Sequence, residues 1–141
     1  MEIYTKYHGL REYNEDEIIT FNRGIPGFES LSKFIIFTLE ENVEFSILHS
    51  IEDKNLGLLV TSPFLVEKDY EIKLPERIIK ELKICDPTQV MVVNTVTLYS
   101  EIKKCTTNLK APIVINTIER LGEQIIVDND KYNIKHPLFK E

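Results

Sequence analysis

Short runs of apolar and β-branched residues, interrupted every 8–15 positions by Gly, Pro, Asn or Asp, dominate this chain. The runs fall at residues 3–7, 17–21, 34–39, 45–50, 58–61, 70–73, 90–96, 112–118 and 124–127, and their length and aromatic content mark them as strands. One stretch, residues 75–83, follows a helical period instead. Pro75 suits a first helical position, Glu76 the positive end of the dipole, and Ile78, Ile79 and Leu82 recur on one face. Lys80 and Lys83 complete the charge order, Asp86-Pro87 is the expected stop, and the helix is expected to lie as a lid over an open barrel end. Residues 113–127 predict a hairpin turning at 119–122. The expected fold is therefore mainly all-β, a single-domain β-barrel-like fold of about nine or more short strands with one short helix.

Composition narrows this further. At 141 residues with no repeat, linker or low-complexity tract, residues 1–141 are expected to form one domain, with disorder concentrated at the termini, especially 137–141. No apolar run is long enough to cross a bilayer, and the opening Met1-Glu2-Ile3-Tyr4 lacks a secretory pattern, so a cytoplasmic protein without membrane contact is expected. Charge is uneven. Residues 1–71 carry fourteen acids against six bases, whereas 72–141 carry nine against eleven. A phosphate backbone requires a basic stripe, so no direct nucleic-acid binding is expected, and the acidic half points to a basic protein partner.

Catalytic chemistry finds no foothold. The five glycines form neither dinucleotide nor phosphate-loop spacing, and no nucleophile-elbow or zinc-helix motif occurs. Cys85 and Cys105 stand twenty positions apart without a nearby His, and His8, His49 and His136 share no ligand spacing. Glu15-Asp16-Glu17, Glu40-Glu41 and Glu67 with Asp69 cluster at turns with no apolar shelf to separate their pKa values. No catalytic residue, metal site, cofactor or enzyme activity is expected. His49, alternating with Ile47, reads as structural.

Two segments remain. In FNRGIPGFE, residues 21–29, the Gly24-Ile25-Pro26-Gly27 turn either presses Phe28 onto the domain or holds it proud of the surface, with packing the favoured outcome. In TTNLKAPIVIN, residues 106–116, Asn108-Leu109-Lys110-Ala111 sits between polar Thr106-Thr107 and Pro112, as an edge with exposed amides would. Asn108, Leu109, Lys110 and Ala111, with Phe28 and Glu29 next, are the candidate partner-contacting residues. The alternative is that the motif merely closes the barrel.

These segments, together with Thr5-Lys6-Tyr7, Leu48-His49-Ser50, Pro63, Tyr70 and residues 124–132, resemble the flagellar assembly factor FliW family along nearly the whole chain. His49 departs from the Gln common in that family. The resemblance implies a β-barrel-like protein, a monomer when free, that binds two proteins in exchange. One is flagellin; the other is the carbon storage regulator CsrA, a small dimeric translational repressor that binds messenger RNA. Capture of CsrA would keep it off the flagellin message and couple flagellin translation to secretion. The alternatives are a chaperone-like holder of flagellin with no RNA-regulatory role, and a small-ligand-binding β-barrel.

Overall fold

The computed structural model describes residues 1–6, 8–39 and 44–139. Eleven strands and one helix are seen among them. They are β1 (Glu2–Thr5), β2 (Gly9–Glu12), β3 (Ile19–Thr20), β4 (Lys33–Thr38), β5 (Phe45–Ser50), β6 (Gly57–Thr61), helix α1 (Glu76–Glu81), β7 (Val90–Thr97), β8 (Thr106–Thr107), β9 (Ile113–Asn116), β10 (Leu121–Gln124) and β11 (His136–Pro137).

Strands β7, β6, β5, β4, β3, β10 and β9 pair in that order, and β9 returns to β7, so seven strands close a ring. A ring of seven cannot be antiparallel throughout, because strand direction must return to itself. The odd step is β10 against β3, which pair in parallel through Leu121 and Thr20, while the other six pairings are antiparallel. Closure removes the sheet edges that would otherwise present unpaired amides.

Alternation along each strand then sorts side chains into a filled interior and an outer wall. Phe34, Leu48, Val60, Val93, Ile113 and Ile115 point inward with Ile19, Phe21 and Ile25. Phe21 meets Phe34 edge to face with centroids 5.3 Å apart. Phe21 also lies across β10 at Gly122, where a Cβ would stand 2.7 Å from the ring, so only glycine allows this approach. These side chains occupy the interior that a small-ligand barrel would leave open.

Three coverings pack on the outer wall. Helix α1 places Ile78 and Leu82 against Val114 and Ile125, so it packs on the side of the ring beside β9 rather than over an open end. Tyr70, Leu109, Tyr132 and Leu138 form a second outer cluster with Phe45 and Cys105. The β1–β2 hairpin lies beside β4, with His8 edge-on to Phe37 and the Arg11 guanidinium 4.3 Å above the same ring.

Several expected elements differ. Residues 70–73 form no strand, because Tyr70 is held sideways by its hydroxyl, which donates to the Leu109 carbonyl at 2.7 Å, and Glu71 N donates to the Tyr132 hydroxyl. The hairpin turn lies at residues 117–120, with Leu121 and Gly122 already in β10. Helix α1 is shorter than expected: Pro75 is its N-cap, and Lys83 at φ 54° ends it before Asp86-Pro87, which instead opens a 3-10 turn. Ile79 is exposed rather than on the buried face. The C-terminal segment is tied down through residue 138, since His136 and Pro137 pair with β8 and Leu138 is buried; residues 140–141 lie outside the described residues. Tyr7 and the Glu40-Glu41 pair also lie outside them.

Candidate protein-docking surfaces

The segment 108–111 is built into the fold with every backbone group used. Asn108 N donates to Thr95 O and Leu109 N to Asn133 O, while the Asn108 Oδ1 accepts both Lys110 N and Ala111 N at 3.0 Å. The carbonyls are answered as well: Asn108 O by Asn94 Nδ2, Leu109 O by the Tyr70 hydroxyl, Lys110 O by Val127 N and Ala111 O by Gln124 Nε2. The expected edge with exposed amides is therefore absent, because buried backbone groups must pair and here they do so within the chain. Leu109 is 1% exposed in the second outer cluster, where burial also pushes the Tyr70 hydroxyl up to about 12.

Asn116, at the far end of β9, repeats the device. Its Oδ1 accepts Ile118 N and Glu119 N, and its Nδ2 donates to Leu82 O and Lys83 O at the end of α1. The two asparagines of the motif thus fold the chain at both ends of one strand, a role that Asn performs because its amide imitates a backbone turn. His49 is likewise structural: buried, it donates from Nδ1 to Ser50 O at 2.7 Å.

The 21–29 segment behaves differently. Gly24 and Gly27 take φ of 65° and 91°, turning Ile25 into the core and leaving Phe28 40% exposed with Glu29 beside it. The favoured outcome for Phe28, packing onto the domain, is thus not the one adopted. At Gly24 a Cβ would stand 2.6 Å from the Glu29 Cα, so the backbones meet where no side chain fits. Gly24→Ala is expected to cost about 2 kcal/mol, read as a lower urea midpoint with unchanged slope, from left-handed strain and this clash.

The turn is anchored to α1 by charge. Arg23 donates to Glu81 at 2.7 Å and stands 3.6 Å from Glu123, and Arg77 bridges Glu81 at 2.9 Å and Glu123 at 3.1 Å. The hydrogen bond from Arg23 holds the Glu81 carboxyl below its ordinary range. Gln124, next to Glu123, is the residue that binds Ala111 O, so β10 connects the two motif segments, which also meet in the core through Phe21 and Ile25 on one side and Ile113 and Ile115 on the other.

An apolar concavity lies on the other flank of α1. Ile72, Leu74, Ile79, Ile84, Val90 and Val92 line a cleft of about 470 Å³, with Phe64 at its mouth and Cys85, Asp86 and Pro87 along its rim. Phe64, 56% exposed, is shared with a second cleft of about 490 Å³ lined by Leu65, Leu138 and Phe139. The two meet at Phe64 and make one track on the outer wall, apolar along the first cleft and mixed along the second, where Glu44, Glu67 and Lys68 join the lining. No motif in the sequence signals it; its only trace is Ile79, an apolar residue in a helix whose buried face is already supplied by Ile78 and Leu82.

Among the described residues no group of three His, Cys, Asp or Glu could hold a metal ion, and no helix is long and apolar enough to cross a membrane. The Glu15-Asp16-Glu17 and Glu67/Asp69 carboxylates are exposed or half-buried at turns.

Comparison with known proteins converges. The family described as FliW protein matches residues 2–138. The flagellar assembly factor FliW of Clostridium botulinum (strain 657 / Type Ba4) is 57% identical over 141 residues, covering 100% of this chain and 99% of that protein. That of Clostridium tetani (strain Massachusetts / E88) is 54% identical, covering 100% of this chain and 97% of the relative. The crystal structure of the flagellar assembly factor FliW superposes with a TM-score of 0.90 at 38% identity, covering 99% of this chain and 98% of that one.

Proposed function

The chain belongs to the FliW family, and from that premise we propose that it is a flagellar assembly factor that works in the cytoplasm by binding flagellin and the repressor CsrA in exchange. Flagellin and CsrA weaken each other's binding reciprocally, as linkage requires. Secretion of flagellin would free this protein to take CsrA off the flagellin message. No catalytic step is part of this reading.

The observation that carries the reading is the pairing of a filled barrel with an open apolar track on its outer wall. A molecule with a packed interior and a shaped exterior acts by being occupied. The track is assigned to an apolar segment of flagellin. Of the residues expected from sequence to touch a partner, Phe28 and Glu29 are exposed and Asn108, Lys110 and Ala111 half-buried, and these five are kept as candidate contacts apart from the track; Leu109, buried, is not.

Ile79 is 38% exposed, so its replacement leaves the core intact. Ile79→Lys is expected to weaken flagellin binding by about tenfold or more, measured by calorimetry, with a melting temperature close to that of the parent. Equal affinity would remove the track from the proposal. A competition titration tests the exchange itself: CsrA should be displaced by flagellin, and a chain that binds flagellin but never CsrA is a holder without an RNA-regulatory role.

A further inference from the structure

One wall of the first cleft comes from a single short segment. Ile72, Leu74, Ile79 and Ile84 stand on residues 72–84, and Val90 and Val92 face them from β7 of the closed ring. The opening of the cleft is therefore set by how that segment sits against the barrel. Residues 72–84 contribute no strand, and helix α1 at their centre has six residues, too few to hold itself in water. Its position is fixed from outside: by Ile78 and Leu82 against Val114 and Ile125, by Asn116 at its C-terminal end, and by charge along the flank away from the cleft.

The charged contacts close a ring of four. Arg23 grips Glu81 with two nitrogens, Nη2 to Oε1 at 2.7 Å and Nε to Oε2 at 3.3 Å. Arg77 bonds the same carboxylate at 2.9 Å and Glu123 at 3.1 Å, and Glu123 returns to Arg23 at 3.6 Å. Exposed ion pairs contribute little singly, but a forked arginine–carboxylate pair inside a network is the exception, and here one member, Glu123, has a side chain only 10% exposed. Arg23 also has the firmest base. It projects from between Phe21 and Ile25, both in the barrel core, on a turn closed by Gly24 N to Phe21 O at 2.8 Å and Phe28 N to Ile25 O at 2.7 Å.

We propose that Arg23, through Glu81, is a strut that holds the 72–84 wall in place, so that the 24–29 turn regulates the affinity of the apolar cleft from the far side of α1. The assignment rests on the reading above that the cleft receives an apolar segment of flagellin. Arg23 is a positioning residue, since it is not among those that line the cleft. Phe28 and Glu29 stand on the same stiff turn, and a contact that shifts them shifts Arg23 with them. By linkage, a segment seated in the cleft alters binding at the turn by the same factor.

The test uses the full chain and purified flagellin, with calorimetry for affinity and amide hydrogen exchange for the wall. Arg23→Gln cuts the strut and spares both contacts of Arg77. It is expected to weaken flagellin binding about fivefold and to speed exchange at the bonded amides of Ile78, Ile79, Leu82 and Ile84, while residues 45–50 exchange as in the parent. Glu81→Gln should weaken binding at least as much, and the double variant should lose little more than Glu81→Gln alone, because the two residues act through one contact. Lys54→Gln removes the same charge from an exposed site elsewhere and should change neither readout, which separates position from net charge. Parent-like affinity in Arg23→Gln where Ile79→Lys loses it overturns the proposal, and so does parent-like exchange at the four amides. If neither Arg23→Gln nor Ile79→Lys changes flagellin binding, the flagellin reading of the cleft fails, and the exchange rates alone decide whether Arg23 holds the wall.

Discussion

Leu109→Asp is expected to yield no stable folded protein. Leu109 is 1% exposed and packs among Tyr70, Tyr132, Cys105 and Leu138, with both its amide and its carbonyl bonded inside the chain. A carboxylate there has no cation to meet, so the variant must either bury a charge or hold a neutral acid in an apolar site. Either route costs on the order of 4 kcal/mol or more, a large share of the roughly 5–15 kcal/mol that holds a domain of this size together. Circular dichroism and a thermal scan check it. The milder Leu109→Ala, which only opens a cavity, should lose about 2–5 kcal/mol and keep a cooperative transition. A Leu109→Asp protein with the parent's melting temperature would show that the residue is not core. Read from sequence as an exposed edge, Leu109→Asp should have spared the fold and removed only partner binding; the pairing seen around it reverses that expectation.

Asn116→Ala should be the most damaging loss of a single polar side chain. The Asn116 amide is fully buried and makes four hydrogen bonds, two to the end of α1 and two to the turn that leads into β10. Removing it leaves the buried Leu82 carbonyl without its partner, at a cost on the order of 1–3 kcal/mol, and also loses the partly buried bonds to Lys83 O, Ile118 N and Glu119 N. The expected total is about 3 kcal/mol, read from the urea midpoint. The loss should also be local. Hydrogen exchange ought to quicken first at residues 78–82, because Asn116 ties that helix end to the barrel, and the apolar cleft beside Ile79 should lose affinity in step. Uniform loss of protection across all strands, with α1 no worse than the rest, would argue against this coupling.

The strands that the pattern of apolar positions identified are those whose signal is local. Phe45–Ser50 and Lys33–Thr38 are short runs rich in aromatic and branched apolar residues, and the structure places them within a residue of their expected bounds. Thr106–Thr107 and His136–Pro137 were invisible, because a two-residue strand without an apolar run pairs only when a distant partner is brought alongside. Ile79 shows the same limit within a helix. Its spacing from Ile78 and Leu82 says that it is apolar and near the buried face, but the packing against Val114 and Ile125 uses only two of the three.

The motif TTNLKAPIVIN carries the same lesson for function. Its residue order was enough to point to the family, and Asn at both ends with Pro112 between them marked a rigid path. Whether that path was an edge or a seam depended on Thr95, Asn133, Tyr70, Val127 and Gln124, which take up its backbone groups from across the fold.

Strand content, the single short helix, the absence of familiar catalytic spacings and the acidic first half were all legible along the chain, because propensity, period and charge are properties of neighbours in sequence. Closure of the ring through β7 and β9, the burial of Leu109 and the opening of the apolar track were settled by contacts between residues far apart in the chain. Which of several apolar faces meets which is a competition among long-range burials, and no local pattern records its outcome.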